Sequence, residues 1–188
     1  MFYIGYDIGS SSIKIALLNA KNNKEVAVVN EPKGEMTIEA FRPNWAEQNP
    51  ELWWEYLCIG TKRILFENKI NANQVLGVGI SYQMHGLVLL DKNKKVLRNA
   101  IIWCDSRAIK IGNKAAKEIG KKKYGQHLLN SPGNFTASKL KWVKENEPKI
   151  YEQVAFFMLP GDFIAYKLTD EILTTINGLS EGILWDYK

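Results

Sequence analysis

The chain has 188 residues, 46% hydrophobic and 24% charged, and carries a formal net charge of +5 at pH 7. This is ordinary globular composition, and the length suffices for one domain with a sizeable core or for part of a larger protein. No apolar run approaches the roughly 20 residues of a membrane span, and no signal peptide precedes the first predicted strand. We therefore expect a cytoplasmic protein without a membrane partner, and its two cysteines, Cys58 and Cys104, fit that reducing compartment.

Lysine supplies nearly all of the positive charge, because arginine occurs only at positions 42, 63, 98 and 107. The densest cluster, Lys121 to Lys123, lies in a polar segment and is predicted to be a solvated surface. No zinc-finger, RNP or helix-turn-helix pattern accompanies the charge, so no nucleic-acid partner is expected. An alternative use of the same field is the attraction of a phosphorylated substrate.

The predicted elements begin with a meander and then alternate between strands and helices. Strands are predicted over 2–8, 12–19, 25–30, 75–81, 86–90 and 155–159. Helices are predicted from Pro50 to about residue 68, through Ile109 and Ala116, from a cap at Thr136 to near Pro148, and over 161–168. In the first helix, Leu52, Tyr56, Ile59 and Ile64 have the spacing of one buried face. This order indicates an α/β domain with a mixed sheet.

The first strand ends at Asp7 and a tight turn over Gly9 to Ser12 follows it. Glycine lets a bulky anion approach the backbone, and successive N–H groups with neighbouring hydroxyls form an anion-binding concavity. A carboxylate beside a phosphate is repulsive unless a divalent cation lies between them, and Mg²⁺ bound through carboxylate, water and phosphate supplies that cation. The pattern indicates a magnesium-nucleotide phosphate loop, with an ordinary hairpin turn as the alternative.

A second group, Gln83-Met84-His85-Gly86, lies at the end of a predicted buried strand, where α/β proteins bind ligands. Gln83 and His85 can each donate and accept hydrogen bonds, which suits sugar hydroxyls, and Met84 offers an apolar wall. The alternative is that His85 is a satisfied structural group. Metal binding is less favoured, because no other histidine or cysteine clusters with it in the sequence.

A third group, Trp103-Cys104-Asp105-Ser106-Arg107, follows an apolar strand. The Trp103 ring offers a flat face to the C–H side of a sugar, and Asp105 and Arg107 can bind hydroxyls. In the alternative interpretation Trp103 is core, Asp105 is a helix N-cap and Arg107 is its salt-bridge partner. The aromatic segment Trp45 to Trp54 is interpreted mainly as structure.

Taken in order, these segments resemble the FGGY family of carbohydrate kinases, most closely its xylulokinases, and the resemblance covers nearly the whole chain. The most discriminating segment is Gln83-Met84-His85-Gly86, because glycerol kinases have Arg-Glu in place of Met84-His85. The matching segments are Asp7–Lys14, Trp45–Pro50, Gln83–Gly86, Trp103–Arg107, Gly133–Trp142 and Leu159–Asp162.

The resemblance implies a ribonuclease-H-like (actin/Hsp70-type) α/β domain with a mixed five-stranded sheet and flanking helices, in a kinase of two domains with a cleft between them. It implies ATP and Mg²⁺ as cofactors and a ketopentose, D-xylulose above all, as the substrate that becomes the 5-phosphate. Another FGGY kinase, for ribulose, fuculose or a related polyol, and a non-catalytic sugar-binding or assembly module remain as alternatives. A homodimer is left open.

The same resemblance assigns the candidate site residues. Asp7 would help to hold Mg²⁺. The residues implied at the ATP phosphates are Asp7, Gly9, Ser10, Ser11, Ser12 and Lys14. The residues implied at the ketose are Gln83, Met84, His85, Gly86, Trp103, Asp105 and Phe135. Two departures stand out: Ser10 replaces the usual threonine, and Thr174 to Ser180 replaces an acidic, serine-rich stretch.

Length is the larger departure, because family members run to roughly 500 residues, beyond the usual size of one domain. Residues 1–188 are therefore expected to be an incomplete N-terminal kinase domain, with the C-terminal nucleotide-binding domain and the catalytic base, an aspartate, beyond Lys188. Phosphoryl transfer needs charge stabilisation from both sides of the cleft, so this chain alone is expected to be inactive. Exposed apolar surface, above all a predicted strand at Gly182 to Trp185, should favour self-association.

Overall fold

The computed structural model describes residues 1–188 and divides into two compact units. Unit 1 comprises residues 1–37 and 51–83, and unit 2 comprises residues 38–50 and 84–188. The strands are β1 (Phe2–Ile8), β2 (Ile13–Asn19), β3 (Lys24–Glu31), β4 (Glu47–Gln48), β5 (Val75–Tyr82), β6 (Val88–Leu90), β7 (Ala100–Ile101) and β8 (Phe156–Met158). The helices are α1 (Pro50–Glu67), α2 (Ile109–Ile119), α3 (Lys121–His127), α4 (Thr136–Asn146), α5 (Pro148–Tyr151), α6 (Pro160–Thr169) and α7 (Ile176–Glu181).

Unit 1 is built on a mixed sheet of four strands in the order β3-β2-β1-β5. β1 and β3 are antiparallel to β2, whereas β5 runs parallel to β1. The expected fifth strand is wrong for this chain. The two late segments predicted as strands pair with each other instead, since β6 and β8 form their own antiparallel sheet in unit 2.

Alternating apolar residues produce the core of unit 1. In β1 the buried residues are Ile4, Tyr6 and Ile8, and in β2 they are Ile13, Ile15 and Leu17. Their side chains point to one face of the sheet, as the period of two requires. On the same strands Asp7 and Lys14 are exposed, which places them on the other face.

Helix α1 has the predicted bounds, and Ile64 is buried as predicted, but not all of the predicted face is buried. Leu52 and Ile59, which were predicted to be buried, are 38% and 43% exposed. The residues that α1 buries are Pro50, Trp53, Leu57, Gly60 and Ile64. Gly60 faces β2, because a Cβ there would meet the end of the Ile15 side chain.

Unit 2 combines two short sheets, β4-β7 and β6-β8, with helices α2 to α7. Its core includes a buried cluster formed by Leu87, Leu89, Ile101 and Val143. Helices α2, α4 and α6 confirm the predicted ones, whereas α3, which begins at Lys121, was not predicted. The lysines at 121–123 are exposed, as expected.

Three local predictions in unit 2 are wrong. Thr136 is the first helical residue of α4 rather than its N-cap, which is Phe135. Asp105 is not the N-cap of α2, because that helix begins at Ile109 after Ala108. Residues 182–185 follow the end of α7 at Glu181 and form no strand. Ile183 is only 9% exposed, whereas Leu184 and Trp185 are each 37% exposed. No helix of the structure is both long and apolar enough to cross a membrane.

Candidate functional site

The turn between β1 and β2 is closed by its own backbone. The Gly9 N–H donates to the Ser12 carbonyl at 3.1 Å, and the Met36 N–H donates to the Ser11 carbonyl at 2.8 Å. A Cβ at position 9 would lie 2.9 Å from the Ser12 carbonyl oxygen, so the close approach of the two arms requires glycine. Gly9 can therefore give an anion room but not its N–H, a refinement of the phosphate-loop prediction.

Polar residues form a row across the sheet immediately before this turn. Asp7 of β1 lies opposite Lys14 of β2 and beside Ser81 of β5 in the strand register. All three are exposed. Paired positions project to the same face of a sheet, so a carboxylate, an ammonium and a hydroxyl stand together at the mouth of the hairpin.

Gln83 continues β5 to the same end of the sheet, since its N–H donates to the Ile8 carbonyl at 2.8 Å. The Oε1 and Nε2 atoms of its side chain are both buried and have no hydrogen-bond partner. An unsatisfied buried amide is costly and calls for an explanation. Its place at the carboxyl ends of two parallel strands, β1 and β5, is where α/β sheets bind ligands.

The residues present fit Mg²⁺ better than a metal held entirely by protein. No cluster of three or more histidine, cysteine, aspartate or glutamate side chains could hold a metal ion. Mg²⁺ instead binds through one or two carboxylates, with waters and substrate phosphates completing its shell. Asp7 supplies one such exposed carboxylate, and the neighbouring Gly9 has no Cβ to fill the space beside it.

In unit 2 the His85-Gly86 turn is fixed by side chains from three helices. His85 has a left-handed backbone, with φ of +61°, and its N–H donates to Glu181 Oε1 at 2.5 Å. Its carbonyl accepts a hydrogen bond from Lys139 Nζ at 2.6 Å. The Gly86 carbonyl accepts from Thr136 Oγ1 at 3.2 Å, and a Cβ on Gly86 would collide with the Pro160 ring.

The His85 ring is directed by this turn onto Phe135. The two ring centroids lie 4.0 Å apart, with an angle of 60° between the ring planes. Nδ1 lies 3.5 Å from Glu181 Oε1 but has no hydrogen-bond partner, although it is buried. Nδ1 is thus closed off beside the Glu181 carboxylate, whereas 23% of the His85 side chain is exposed and can contact a ligand.

Lys139 is fully buried, although lysine is seldom found there. Burial lowers the pKa of its ammonium group to about 8, against the opposing charge of Asp105. The nearby charges of Cys104, Arg107 and Glu181 also act on it. Lys139 thus donates a hydrogen bond to the His85 turn and interacts electrostatically with Asp105 in another loop.

Asp105 is fully buried, and protein donors occupy both of its carboxylate oxygens. Oδ2 accepts from the Ala46 N–H at 2.6 Å and from Arg107 Nη2 at 2.6 Å, and Oδ1 accepts from the Arg107 N–H at 2.9 Å. The predicted salt bridge between Asp105 and Arg107 is confirmed. With these contacts the carboxylate shapes the loop around it.

Arg107 also pairs with Glu47 at 2.7 Å and lies beside two indole rings that contact each other edge to face. Its guanidinium carbon is 3.7 Å from the Trp45 ring centroid and 4.9 Å from that of Trp142. Glu47 in turn contacts Arg98. The interpretation of the Trp45 segment as structural is therefore supported by its role in a buried ionic network.

The other predicted sugar-binding residues are accessible. Met84 is 55% exposed and Trp103 is 49% exposed, so Trp103 is not a core residue as the alternative interpretation held. Trp103 and Cys104 occupy the centre of a turn that the Asp105 N–H closes by donating to the Ile102 carbonyl at 3.2 Å. The exposed half of Trp103 offers surface to a ligand.

The structure therefore groups the predicted residues into two sets. Unit 1 holds the residues of the hairpin edge: Asp7, Gly9, Ser10, Ser11, Ser12, Lys14 and Gln83. Unit 2 holds Met84, His85, Gly86, Trp103, Asp105 and Phe135. Sequence reasoning missed the residues that hold the second set, Lys139, Glu181 and Thr136. Lys139 is one of three lysines in α4, so its residue type did not single it out, and nothing in the sequence marked Glu181.

Comparison with known proteins supplies the family. The xylulose kinases of Bacillus subtilis (strain 168) and Escherichia coli (strain K12) are each 34% identical to this chain over 97% of its length. A solved xyloylose kinase structure from Brucella ovis superposes with a TM-score of 0.88 at 27% identity, covering 97% of this chain and 37% of that one. The chain spans 36% of the length of the two curated relatives.

The likeness therefore extends from the first strand of unit 1 to the end of unit 2. The family model that describes the N-terminal domain of the FGGY carbohydrate kinases matches residues 2–188. The chain belongs to the FGGY family of carbohydrate kinases.

Proposed function

We propose that this chain provides the phosphate-binding and sugar-binding residues of an ATP-dependent ketopentose kinase that converts D-xylulose to D-xylulose 5-phosphate. The observation that carries the proposal is the match to two xylulose kinases, at 34% identity over 97% of the chain. Because the chain spans 36% of those relatives, the complete reaction is proposed for a protein that also contains the remainder of their length.

In unit 1 the hairpin edge would bind the magnesium complex of ATP. Asp7 would hold Mg²⁺ through its carboxylate and ordered waters, and the ion, when bound, neutralises charge on the phosphates. The glycine at position 9 leaves space beside the backbone, while the Ser10, Ser11 and Ser12 hydroxyls and the Lys14 ammonium can donate to phosphate oxygens. Gln83, which the resemblance implied at the ketose, lies at the same end of this sheet.

In unit 2 the His85 turn would bind the ketose. The exposed part of the His85 ring would contact the sugar, and Phe135 fixes the ring in place. Trp103 would contact the C–H face of the sugar and Met84 its edge. The carboxylate of Asp105 would act through the loop, because its two oxygens accept hydrogen bonds from Ala46 and Arg107.

Calorimetry on the 188-residue chain tests the proposal, with D-xylulose, D-ribulose, L-fuculose and glycerol as the titrants. We expect D-xylulose to bind more tightly than the other three. The variant His85→Ala should weaken D-xylulose binding about tenfold or more, the usual cost of a lost hydrogen bond to a fixed group. Tighter binding of another sugar would reassign the substrate, and no sugar binding at all would contradict the proposed function.

The nucleotide site is tested separately with Mg-ATP. Asp7→Asn should weaken Mg-ATP binding about tenfold or more, because the amide is a poor ligand for a hard cation. Asp170→Asn is the matched control, since Asp170 is an exposed aspartate paired with Lys94. With both substrates present we expect binding without turnover. Turnover at an ordinary kinase rate would contradict the expectation that the catalytic base lies in another part of the protein.

A further inference from the structure

The backbone of His85 is held in an uncommon conformation by charged side chains. A φ of +61° is disfavoured for a residue with a Cβ, and such conformations persist only where the surroundings impose them. Glu181 takes the His85 N–H and Lys139 takes its carbonyl, so the two groups of this one residue are clamped by an anion from α7 and a cation from α4.

Packing alone does not explain why a lysine occupies position 139. The side chain is fully buried, and its ammonium donates to a backbone carbonyl rather than to a carboxylate. A buried charge without a directly bonded counter-ion is more costly than an apolar side chain of the same size. The lowered pKa of Lys139 reflects that cost. The geometry therefore suggests that the clamp serves the ring that it orients.

We propose that Lys139 and Glu181 are positioning residues that act through His85, fixing its main chain so that the ring lies against Phe135 and its exposed part is available to the ketose. This inference rests on the proposed function for the identity of the sugar. Neither residue needs to touch the sugar. Their effect on affinity must then depend on the presence of the His85 ring.

The first experiment measures the clamp without any sugar. The chain has only two histidines, so the variant His127→Gln leaves His85 as the single source of imidazole signals in NMR spectra. Glu181→Met removes the acceptor of the His85 N–H, and we expect faster amide exchange and loss of the ring-current shift from Phe135. Glu181→Gln keeps an acceptor oxygen and should restore both. Equal behaviour of the two Glu181 variants would overturn the proposal.

The second experiment measures coupling with D-xylulose by calorimetry. Lys139→Met should weaken binding about tenfold in the unsubstituted chain but have little effect in the His85→Ala background. Lys141→Met is the matched control, because Lys141 lies on the exposed face of the same helix, paired with Glu145 at 2.8 Å. An equal loss of affinity in both backgrounds would overturn the proposal, since Lys139 would then act independently of His85.

The two proposals fail in different ways. If the unsubstituted chain binds no D-xylulose, the proposed function fails, while the amide exchange and ring-current measurements still decide whether the clamp orients His85. If Lys139→Met does not fold, the Glu181→Met and Glu181→Gln pair provides the same comparison from α7. Unchanged His85 signals in Glu181→Met would then overturn the positioning role.

Discussion

A single buried charge, that of Lys139, gives the stability of the folded chain a pH dependence of its own. Burial lowers its pKa from the usual 10.5 to about 8. Below pH 8 the side chain is protonated in both the folded and the unfolded chain, and above pH 10.5 it is neutral in both. Between these values the unfolded chain binds more protons, so the free energy of unfolding rises with pH because of this residue.

We expect this contribution to be visible when the chain is compared with Lys139→Met. Each pH unit inside the window is worth about 1.4 kcal/mol, so between pH 8 and 9.5 the unsubstituted chain should gain about 2 kcal/mol relative to the variant. Urea unfolding at a series of pH values measures it. Lys110→Met, at an exposed position of α2, should follow the unsubstituted chain, and parallel curves for Lys139→Met would contradict the prediction.

At the scale of elements, the ionic network around Arg107 joins segments that are distant in sequence. Arg107 is 1% exposed at its side chain and pairs with Asp105 and Glu47, whose side chains are 0% and 6% exposed. The network thereby ties β4 to the loop after β7, and the Trp142 ring brings in α4. Removing one member of such a network leaves its partners charged and buried.

We therefore expect Arg107→Met to destabilise unit 2 by about 3–5 kcal/mol, the cost of breaking a buried ion pair from one side. Arg42→Ala is the matched control, because exposed Arg42 also lies over the Trp45 ring, at 5.0 Å, and should cost only about 0.5 kcal/mol. Hydrogen exchange followed separately in the two units during urea unfolding measures both. A loss below 1 kcal/mol for Arg107→Met, by the standard of ordinary surface substitutions, would refute this account.

The elements themselves were largely predictable because local patterns specify them. The meander, α1, β5 and the hairpin at Gly9 follow from alternation, proline and glycine, which act within a few residues. The buried face of α1 could not be predicted in full, because apolar residues occur on both sides of that helix. Packing against β2, where Gly60 contacts the Ile15 side chain, selects the face that is buried. The role of Glu181, 96 residues away from His85 in sequence, also depends on tertiary contact that no local pattern encodes.

Strand pairing and the site likewise depend partly on local patterns and partly on tertiary contacts. Two short strands, β4 and β7, have only two residues each, and they exist because distant segments meet rather than because of propensity. Thr136 has the residue type of an N-cap but donates to the Gly86 carbonyl instead. Residue types therefore predicted which side chains carry chemistry, whereas the partners of Asp105 and His85 required the fold.

At the scale of the whole molecule, unit 1 exposes several large apolar side chains to solvent. Phe66 on the outer face of α1 is 85% exposed, and Leu76 and Val78 of β5 are 51% and 49% exposed. β5 is the last strand of its sheet, so its outer edge also has no neighbour. The expected self-association stays a prediction, and these residues add apolar surface to that of Leu184 and Trp185, which are each 37% exposed.

Unit 2 is discontinuous in sequence, and its short segment 38–50 supplies contacts that the long segment cannot replace. The Ala46 N–H bonds Asp105, the Ile102 N–H bonds the Ala46 carbonyl at 3.1 Å, and Glu47 pairs with both Arg98 and Arg107. Without these groups, buried charges of residues 84–188 would lose their partners, at a cost comparable to the whole stability of a domain.

We accordingly expect residues 84–188 alone to lack cooperative unfolding, and the same segment joined to residues 38–50 through a flexible glycine-serine linker to recover it. Urea titration followed by tryptophan fluorescence, with amide exchange at Arg107, makes the comparison. A third chain carrying Glu47→Ala and Trp45→Ala in the linked form separates these contacts from mere chain length, and it should unfold like 84–188 alone. Cooperative unfolding of 84–188 with the midpoint of the linked chain would show that the ionic network is dispensable. The short segment would then be a connection between the units rather than part of the core of unit 2.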